Sequence, residues 1–276
     1  MTNQSGGPSR LLGTVLVGMI VPWIACASGS EDQSLHQAPT IAPRQHAPMI
    51  LRERHGRNAT SSNWSGYAVT APPNESVWDV KGSWIVPTIQ GTCPSQTEYS
   101  SFWVGIDGYS SNTVEQIGTD SDCQNGKPVY YAWYEFYPKF PYNLFFVQPG
   151  DTISAEVSYG TDGKFTLFIK DVTTGQQFSI SQKIPNAKRS SAEWIVEDSG
   201  GLLPNFGTVS FGQDYNTKVP LTCDATVGGA SGPIGSATFA TSLVEITMLA
   251  SGGVTISPSD LSTDETSFTD TYPFGP

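Results

Sequence analysis

Three carboxylates crowd the short run SAEWIVEDSGG, Ser191 to Gly201, where Glu193, Glu197 and Asp198 are interleaved with Trp194, Ile195 and Val196. Side chains alternate between the faces of an extended strand, so Glu193, Ile195 and Glu197 share one face, and Trp194, Val196 and Asp198 the other. Two other runs repeat the theme. In SFWVGIDG, Phe102, Val104 and Ile106 form an apolar face with Trp103, Gly105 and Asp107 opposite; in YYAWYEFYP, Tyr131, Trp133, Glu135 and Tyr137 lie together. A sheet face bearing Trp103, Asp107, Glu135 and Glu197 would set acids among large aromatics, where desolvation and like charge raise carboxyl pKa values. A carboxyl so tuned suits general acid or base work. The same aromatics would also serve as plain core or as a sugar-binding face, so this pattern alone leaves an enzyme and a binding module equally open.

The elements that must position these residues read as strands. Runs such as VYYAWYEFYP, TISAEVSY, KFTLFIKD and FATSLVEITML are short, rich in β-branched and aromatic residues, and separated by Gly, Pro, Asn and Asp. TTGQ and TDGK supply tight-turn chemistry. No helical period persists outside the first thirty residues. The expectation is an all-β fold, an antiparallel two-sheet β-sandwich of the concanavalin A-like or jelly-roll type.

Composition narrows the chemistry. The 276 residues carry a formal net charge of -11, which disfavours nucleic acid and anionic membrane surfaces as partners, since phosphate binding needs a basic stripe. All three histidines, His36, His46 and His55, lie upstream of residue 58. A domain beginning there has no imidazole for a Ser-His-Asp triad, a Cys-His pair, a His-ligated zinc or a His base. Catalysis must then use carboxylates, amides, hydroxyls or Lys, and no metal or other cofactor is expected. Cys93, Cys123 and Cys223 show no C-x-x-C spacing; one disulfide and one free thiol is the expectation, with the pairing open.

At the N-terminus an apolar run of about fifteen residues, LLGTVLVGMIVPWIA, follows a single Arg and precedes ACAS, which reads as a secretory signal over 1–27. Cys26 raises lipoprotein anchoring as a minor alternative. Residues 28–57 are rich in Pro, Gln, His and Arg and read as a pro-segment or linker, leaving 58–276 as the catalytic domain. Residues 1–57 carry +2 and the rest -13, so a basic arm is joined to an acidic domain. The expectation is that Arg52, Arg54 and Arg57 draw this arm over an acidic cleft and that acid releases it.

The segments SSNWSGYAV, SFWVGIDGYSSNTVEQIGTD, YYAWYEFYP, TTGQ and AEWIVED, in that order, resemble the glutamic peptidase family, the eqolisins. The resemblance runs from about Asn63 to about Gly212 and implies a secreted endopeptidase made as a proenzyme and active in acid on protein or peptide substrates, a monomer without stable membrane association. It places the catalytic pair on Gln116, in EQIG, and Glu197, and matches substrate-binding positions to Trp64, Trp103, Asp107, Asp120 and Glu135. The family chemistry would have Glu197 take a proton from water and Gln116 donate to the oxyanion. Two departures stand out: Tyr131 occupies a position where some relatives have Asp, and Glu115 an aliphatic one. The competing readings are a sandwich glycoside hydrolase using Glu135 and Glu197, and a carbohydrate-binding module using the aromatics alone.

Overall fold

The computed structural model describes residues 41–42, 44–72, 76–212 and 222–273. The run read as an export signal, with Cys26, and the first part of the arm, with His36, lie outside them.

The alternating runs form strands. In chain order these are β1 (Leu51–His55), β2 (Asn58–Ser61), β3 (Trp64–Thr70), β4 (Val77–Ile85), β5 (Ser101–Ile106) and β6 (Val114–Gln124). There follow β7 (Lys127–Tyr137), β8 (Tyr142–Phe146), β9 (Thr152–Tyr159), β10 (Phe165–Asp171), β11 (Gln177–Gln182) and β12 (Ser191–Glu197). The last are β13 (Thr208–Phe211), β14 (Asp224–Val227), β15 (Ala230–Pro233), β16 (Leu243–Leu249), β17 (Thr255–Ile256) and β18 (Phe268–Thr271). Helix among the described residues is limited to two 3₁₀ turns, Ala237–Phe239 and Ser251–Gly253.

Two sheets result. The first has the order β1-β2-β16-β3-β12-β5-β6-β7-β8 with β17 beside β16; the second runs β11-β10-β9-β4-β13-β18, with β14 on β4 and β15 on β14. Pairing is antiparallel except between β2 and β16, which run parallel. The expected two-sheet sandwich is therefore the fold.

Period-2 alternation decides what each face does. Phe102, Val104, Ile106, Ile117, Trp194 and Val196 point into the core between the sheets. Trp194 donates its indole N–H to Lys81 O at 2.7 Å and Trp84 donates to Thr119 Oγ1 at 2.9 Å, so both buried indoles tie the layers while satisfying their one donor. Truncating either Trp to Ala would cost about 3–5 kcal/mol by lost burial and cavity formation. The outer face of the first sheet holds a second apolar cluster that includes Trp64, Trp103, Tyr131, Trp133 and Ile195.

Cys93 and Cys123 form the disulfide, and Cys223 is a buried free thiol. The bridge fastens the loop before β5 to β6. The boundary read near residue 57 falls within the β1–β2 hairpin, in which Leu51–His55 pairs with Asn58–Ser61.

Candidate active site

The site is built on β3, β12, β5, β6 and β7, five neighbours in the first sheet. Register brings their outward residues into rows. Glu197 lies opposite Trp64 on β3 and Ser101 on β5, and Ser101 lies opposite Asp120 on β6. Gln116 lies opposite Gly105 on one side and Glu135 on the other, while Trp103 is flanked by Ile195 and Gly118. The alternation expected for β5, β7 and β12 thus assembles Trp64, Trp103, Gln116, Asp120, Glu135 and Glu197 on one face. All six are buried.

Glycines make the room. A Cβ on Gly118 would stand 2.4 Å from Phe102 O and 2.5 Å from Trp103 Cβ, and one on Gly105 would stand 2.8 Å from Trp103 Cζ3. Trp103 can therefore lie flat along the sheet. Its six-membered ring covers Gly105 and its N–H reaches Glu197 Oε2 at 3.0 Å. The ring of Trp64 meets it edge-on, with centroids 4.8 Å apart.

This arrangement separates the three carboxylates of β12. Glu193 shares the row of Gly105 and Gln116, but Trp103 stands over that row, and the charges acting on Glu193 are those of Asp107 and Glu115. Glu197 instead feels His46, Glu135 and Asp120. Asp198 lies just beyond the strand, where it accepts the Gly200 N–H at 2.9 Å. Together with Glu197 it lines a cavity of about 320 Å³ that also touches Ala47, Ile50 and Asn63.

Asp107 is not brought to the pair. Its backbone turns to φ 74, and its carboxylate accepts the N–H groups of Lys188, Arg189 and Ser190 at 2.7, 2.7 and 2.8 Å and the Ser190 hydroxyl at 2.7 Å. It anchors the loop that enters β12. The alternation rule placed it in the groove because it assumes an extended backbone, which Asp107 leaves.

Missed by sequence reading is an imidazole in the site, supplied by the arm. The ring of His46 stacks on Trp133, with centroids 3.5 Å apart and planes 4° from parallel. Its Nε2 lies 3.5 Å from Asp120 Oδ1 and its Nδ1 3.4 Å from Glu135 Oε2. The His46 backbone N–H donates to Glu135 Oε2 at 3.0 Å, and its carbonyl accepts the Gln116 amide at 2.8 Å. Gln116 also donates to Glu135 Oε2 at 2.9 Å. Farther along, Trp64 Nε1 donates to Ala47 O at 3.0 Å, Asn63 Nδ2 to Pro48 O at 3.2 Å, and the Met49 N–H to Gly108 O at 3.1 Å. Upstream, Arg44 lies over the ring of Tyr99, 4.4 Å from its centroid, and donates to Ser199 O. An extended peptide thus fills the groove.

Of the arginines expected to hold this arm, Arg52 lines the cavity beside Glu197 and Asp198, and the other two are engaged elsewhere. Arg57 donates to Ala240 O at 2.6 Å, Arg54 lies over Tyr109, and among the described residues neither they nor Arg52 form an ion pair with a groove carboxylate. The arm hydrogen-bonds along its backbone and inserts one ring. In sequence, the signal for His46 was only its place in a basic arm facing an acidic domain.

A second omission is Asp122, which period 2 puts beside Asp120. The Tyr131 hydroxyl lies 2.8 Å from Asp120 Oδ2 and 2.9 Å from Asp122 Oδ2, and Trp133 Nε1 donates to Asp120 Oδ1 at 2.6 Å. A phenol has one proton, so two carboxylates cannot both be served by it. Burial and the charge of Asp120 push Asp122 well above the ordinary carboxyl range, and Asp120 is the one of the two that lies against His46.

Burial dominates the electrostatics. It raises Glu197 to about 8, against the lowering effect of the His46 charge and with further raising by Glu135. Burial also raises Glu135, while hydrogen bonds and charge from His46 pull it back. For His46 burial alone would lower the pKa, but the charge and hydrogen bond of Asp120, followed by Glu135, outweigh it and raise the value to about 10. Glu115, on the other face of β6, rises to about 9 through burial and the Asp107 charge.

Buried glutamates and a glutamine gathered around an extended peptide, on one face of a two-sheet sandwich, are the features of a glutamic peptidase. The chain belongs to the Peptidase A4 family, which matches residues 62–257. It is 26% identical over 221 residues to aspergillopepsin-2 of Aspergillus niger, covering 71% of this chain and 75% of that protein. It is 30% identical over 155 residues to scytalidopepsin B of Scytalidium lignicola, 54% of this chain and 56% of that one. Among solved structures, the aspergilloglutamic peptidase of Aspergillus niger superposes with a TM-score of 0.52 at 27% identity, over 64% of this chain and 99% of the other. Scytalido-glutamic peptidase bound to a transition state analog inhibitor superposes with a TM-score of 0.61 at 24% identity, over 77% and 98%, a likeness that carries the fold.

Proposed function

We propose that this peptidase is a secreted, metal-independent endopeptidase that works in acid with Gln116 and Glu197 as its catalytic pair. The observation that carries the reading is the peptide carbonyl of His46 held by the Gln116 amide at 2.8 Å, in a groove where Glu197 turns Oε2 to the Trp103 N–H and leaves Oε1 without a hydrogen-bond partner, as Glu135 does its own Oε1 while its Oε2 is taken by His46 and Gln116. A peptide substrate laid in the same groove would present its carbonyl to Gln116, whose amide remains a neutral donor at every pH and would hold the developing oxyanion. Glu197 would take a proton from water as it adds to the carbonyl carbon and return it to the leaving nitrogen.

The protonation state fits a covered site. With the arm in place burial holds Glu197 near 8, so in acid it keeps its proton and cannot act as a base. Water entering an uncovered groove would lower that pKa by restoring solvation. Membership of a peptidase family leaves the glycosidase and sugar-binding readings without support.

The test is to acidify the secreted full-length protein, add a denatured protein and detect new peptide termini. Cleavage should persist with chelators and with an inhibitor of two-aspartate sites, and it should vanish in Glu197→Gln and Gln116→Ala. Retained cleavage in either variant would overturn the assignment.

A further inference from the structure

We propose that the edge strand β8 carries a further substrate subsite, in which Asn143 holds the backbone carbonyl of the sixth residue before the cut and the apolar surface beside it favours an aliphatic side chain there. This rests on the reading of Gln116 and Glu197 as the catalytic pair, and adds to it the length of substrate chain that the groove engages.

Register carries the groove as far as β8. Asn143 lies opposite Trp133, Trp133 opposite Gly118, Gly118 opposite Trp103, and Trp103 opposite Ile195, one row across β8, β7, β6, β5 and β12. The neighbouring row, that of Glu197, Ser101, Asp120 and Tyr131, ends at Phe146 on the same edge strand. Residues directly opposite across a ladder share a face, so Asn143 and Phe146 both look onto the face of the catalytic pair. They are three apart in sequence, which a regular strand would place on opposite faces; the register shift within the β7–β8 pairing brings both to this one.

The arm shows what this end of the row can hold. Asn143 Nδ2 donates to Ile41 O at 3.1 Å, and Ile41 packs against the outer apolar cluster to which Tyr131 and Trp133 belong. The carbonyl that meets Gln116 is that of His46, five residues farther on, so a substrate in the same register would place its sixth residue before the cut where Ile41 lies. Between these points Arg44 and Gln45 reach outward by their side chains, to Ser199 O and Pro138 O. Among the described residues, Asn143 is the side chain that takes hold of the arm's backbone upstream of His46. A carbonyl is common to every residue, so this contact reads chain length; the choice of side chain falls to the surface around it. That surface is apolar at the sheet edge: of the seven large apolar side chains that stand exposed among the described residues, Phe140, Tyr142 and Phe146 fall on β8 or just before it. An exposed apolar patch continuous with a binding groove marks a place where a ligand is covered, and binding energy gained far from the reacting bond still acts on kcat/KM.

The experiment uses the full-length protein after acidification and three quenched fluorogenic peptides that share one core and one cut bond, verified by mass spectrometry of the products. The first peptide begins at the fourth residue before the cut; the other two begin at the seventh and carry Ser or Ile at the sixth. The Ser peptide should exceed the short one in kcat/KM by about twofold, through its carbonyl, and the Ile peptide by roughly fivefold or more. In Asn143→Ala, and in Asn143→Leu, which keeps bulk without the donor, the gain of the Ser peptide should vanish while the Ile peptide stays above it; thermal melts report that both variants are folded. Equal kcat/KM for all three peptides overturns the subsite and leaves the catalytic pair standing, and so does a Ser-peptide gain that survives both substitutions. A short peptide that Glu197→Gln still cuts overturns the pair, and with it the register from which the subsite is counted. Failure of the wild type to cut any of the three overturns both.

Discussion

The indole N–H of Trp103 reaches Glu197 Oε2 at 3.0 Å while the far edge of the same ring lies over Gly105, between Gln116 and Glu193. One side chain therefore orients the carboxyl that faces the groove and fills the space over the glycine between the other two residues of that row. The register alone would favour Glu193, which lies in the row of Gln116; but the charges around Glu193 are those of Asp107 and Glu115, while Glu197 is the acid that feels His46, Glu135 and Asp120.

Glu197→Gln and Gln116→Ala should each lower kcat by roughly a hundredfold or more, about 3 kcal/mol of transition-state stabilisation, with KM changed far less. Glu193→Gln, whose charged neighbours are Asp107 and Glu115, should keep turnover within about tenfold of wild type. Steady-state kinetics on one fluorogenic peptide decides it: an inactive, folded Glu193→Gln with a normal Glu197→Gln would reverse the assignment.

Trp103→Phe removes a hydrogen bond that favours the ionised form of Glu197. Its loss should raise the pKa of that group further, so the profile of kcat/KM against pH should move to higher pH, with a fall in kcat of roughly tenfold for about 1.5 kcal/mol of lost charged hydrogen bonding. An unchanged profile would show that the indole does not tune the carboxyl.

Stability should fall as pH rises. Glu115 moves from its ordinary 4.5 to about 9 on folding and Asp270 from 3.8 to about 7, both chiefly through burial, and Glu193 rises well above its ordinary value for the same reason. The folded state therefore binds more protons than the unfolded chain between about pH 4 and 9, and the linkage slope is negative across that window. Thermal melts should show the highest Tm near pH 4 and a steady decline toward pH 9. Glu115→Gln should flatten the curve; a Tm rising with pH would contradict the burial account.

Release of the arm should be driven by the groove carboxyls. His46 pulls down the pKa of Glu135, so by reciprocity protonating that carboxyl weakens its hold; Glu197, near 8, already carries its proton before acid is reached. The imidazole itself, raised to about 10, contributes fully below its free value of about 6.5 and loses its effect only as pH rises through 10; it stays charged throughout the acid range. His46→Ala should shift the pH of half-maximal activation upward, read as activity on an added peptide after brief exposure to each pH. No shift would remove His46 from the latch.

Gly118→Ala should destabilise the sheet by roughly 1–3 kcal/mol, because the added methyl falls on Phe102 O and Trp103 Cβ and overpacks β5 against β6. Urea unfolding measures this, and a neutral result would mean that the strands can part at that point.

The sandwich was legible because β5, β6, β7 and β12 alternate almost without exception, and two buried indoles tie the layers. Six of the seven chosen site residues share a face for the same reason. Asp107 escaped because its φ of 74 turns the chain out of the strand on which the counting relied. His46 escaped for a different reason: it belongs to a segment with no period, and its place follows from a stack and two acids that are distant in sequence. Counting histidines correctly excluded one from the strands that form the groove, yet the arm brings one in. Tyr131, seen only as a departure from a family pattern, proves to join Asp120 to Asp122.

The parallel rings of His46 and Trp133, 3.5 Å apart, also make the groove self-reporting. A protonated imidazole in face contact with an indole drains its excited state, so Trp133 should be dark while the arm is seated and bright once it leaves. Intrinsic fluorescence of the unlabelled chain would then give the time course of uncovering directly, and Trp133→Phe would identify which of the seven tryptophans carries the signal.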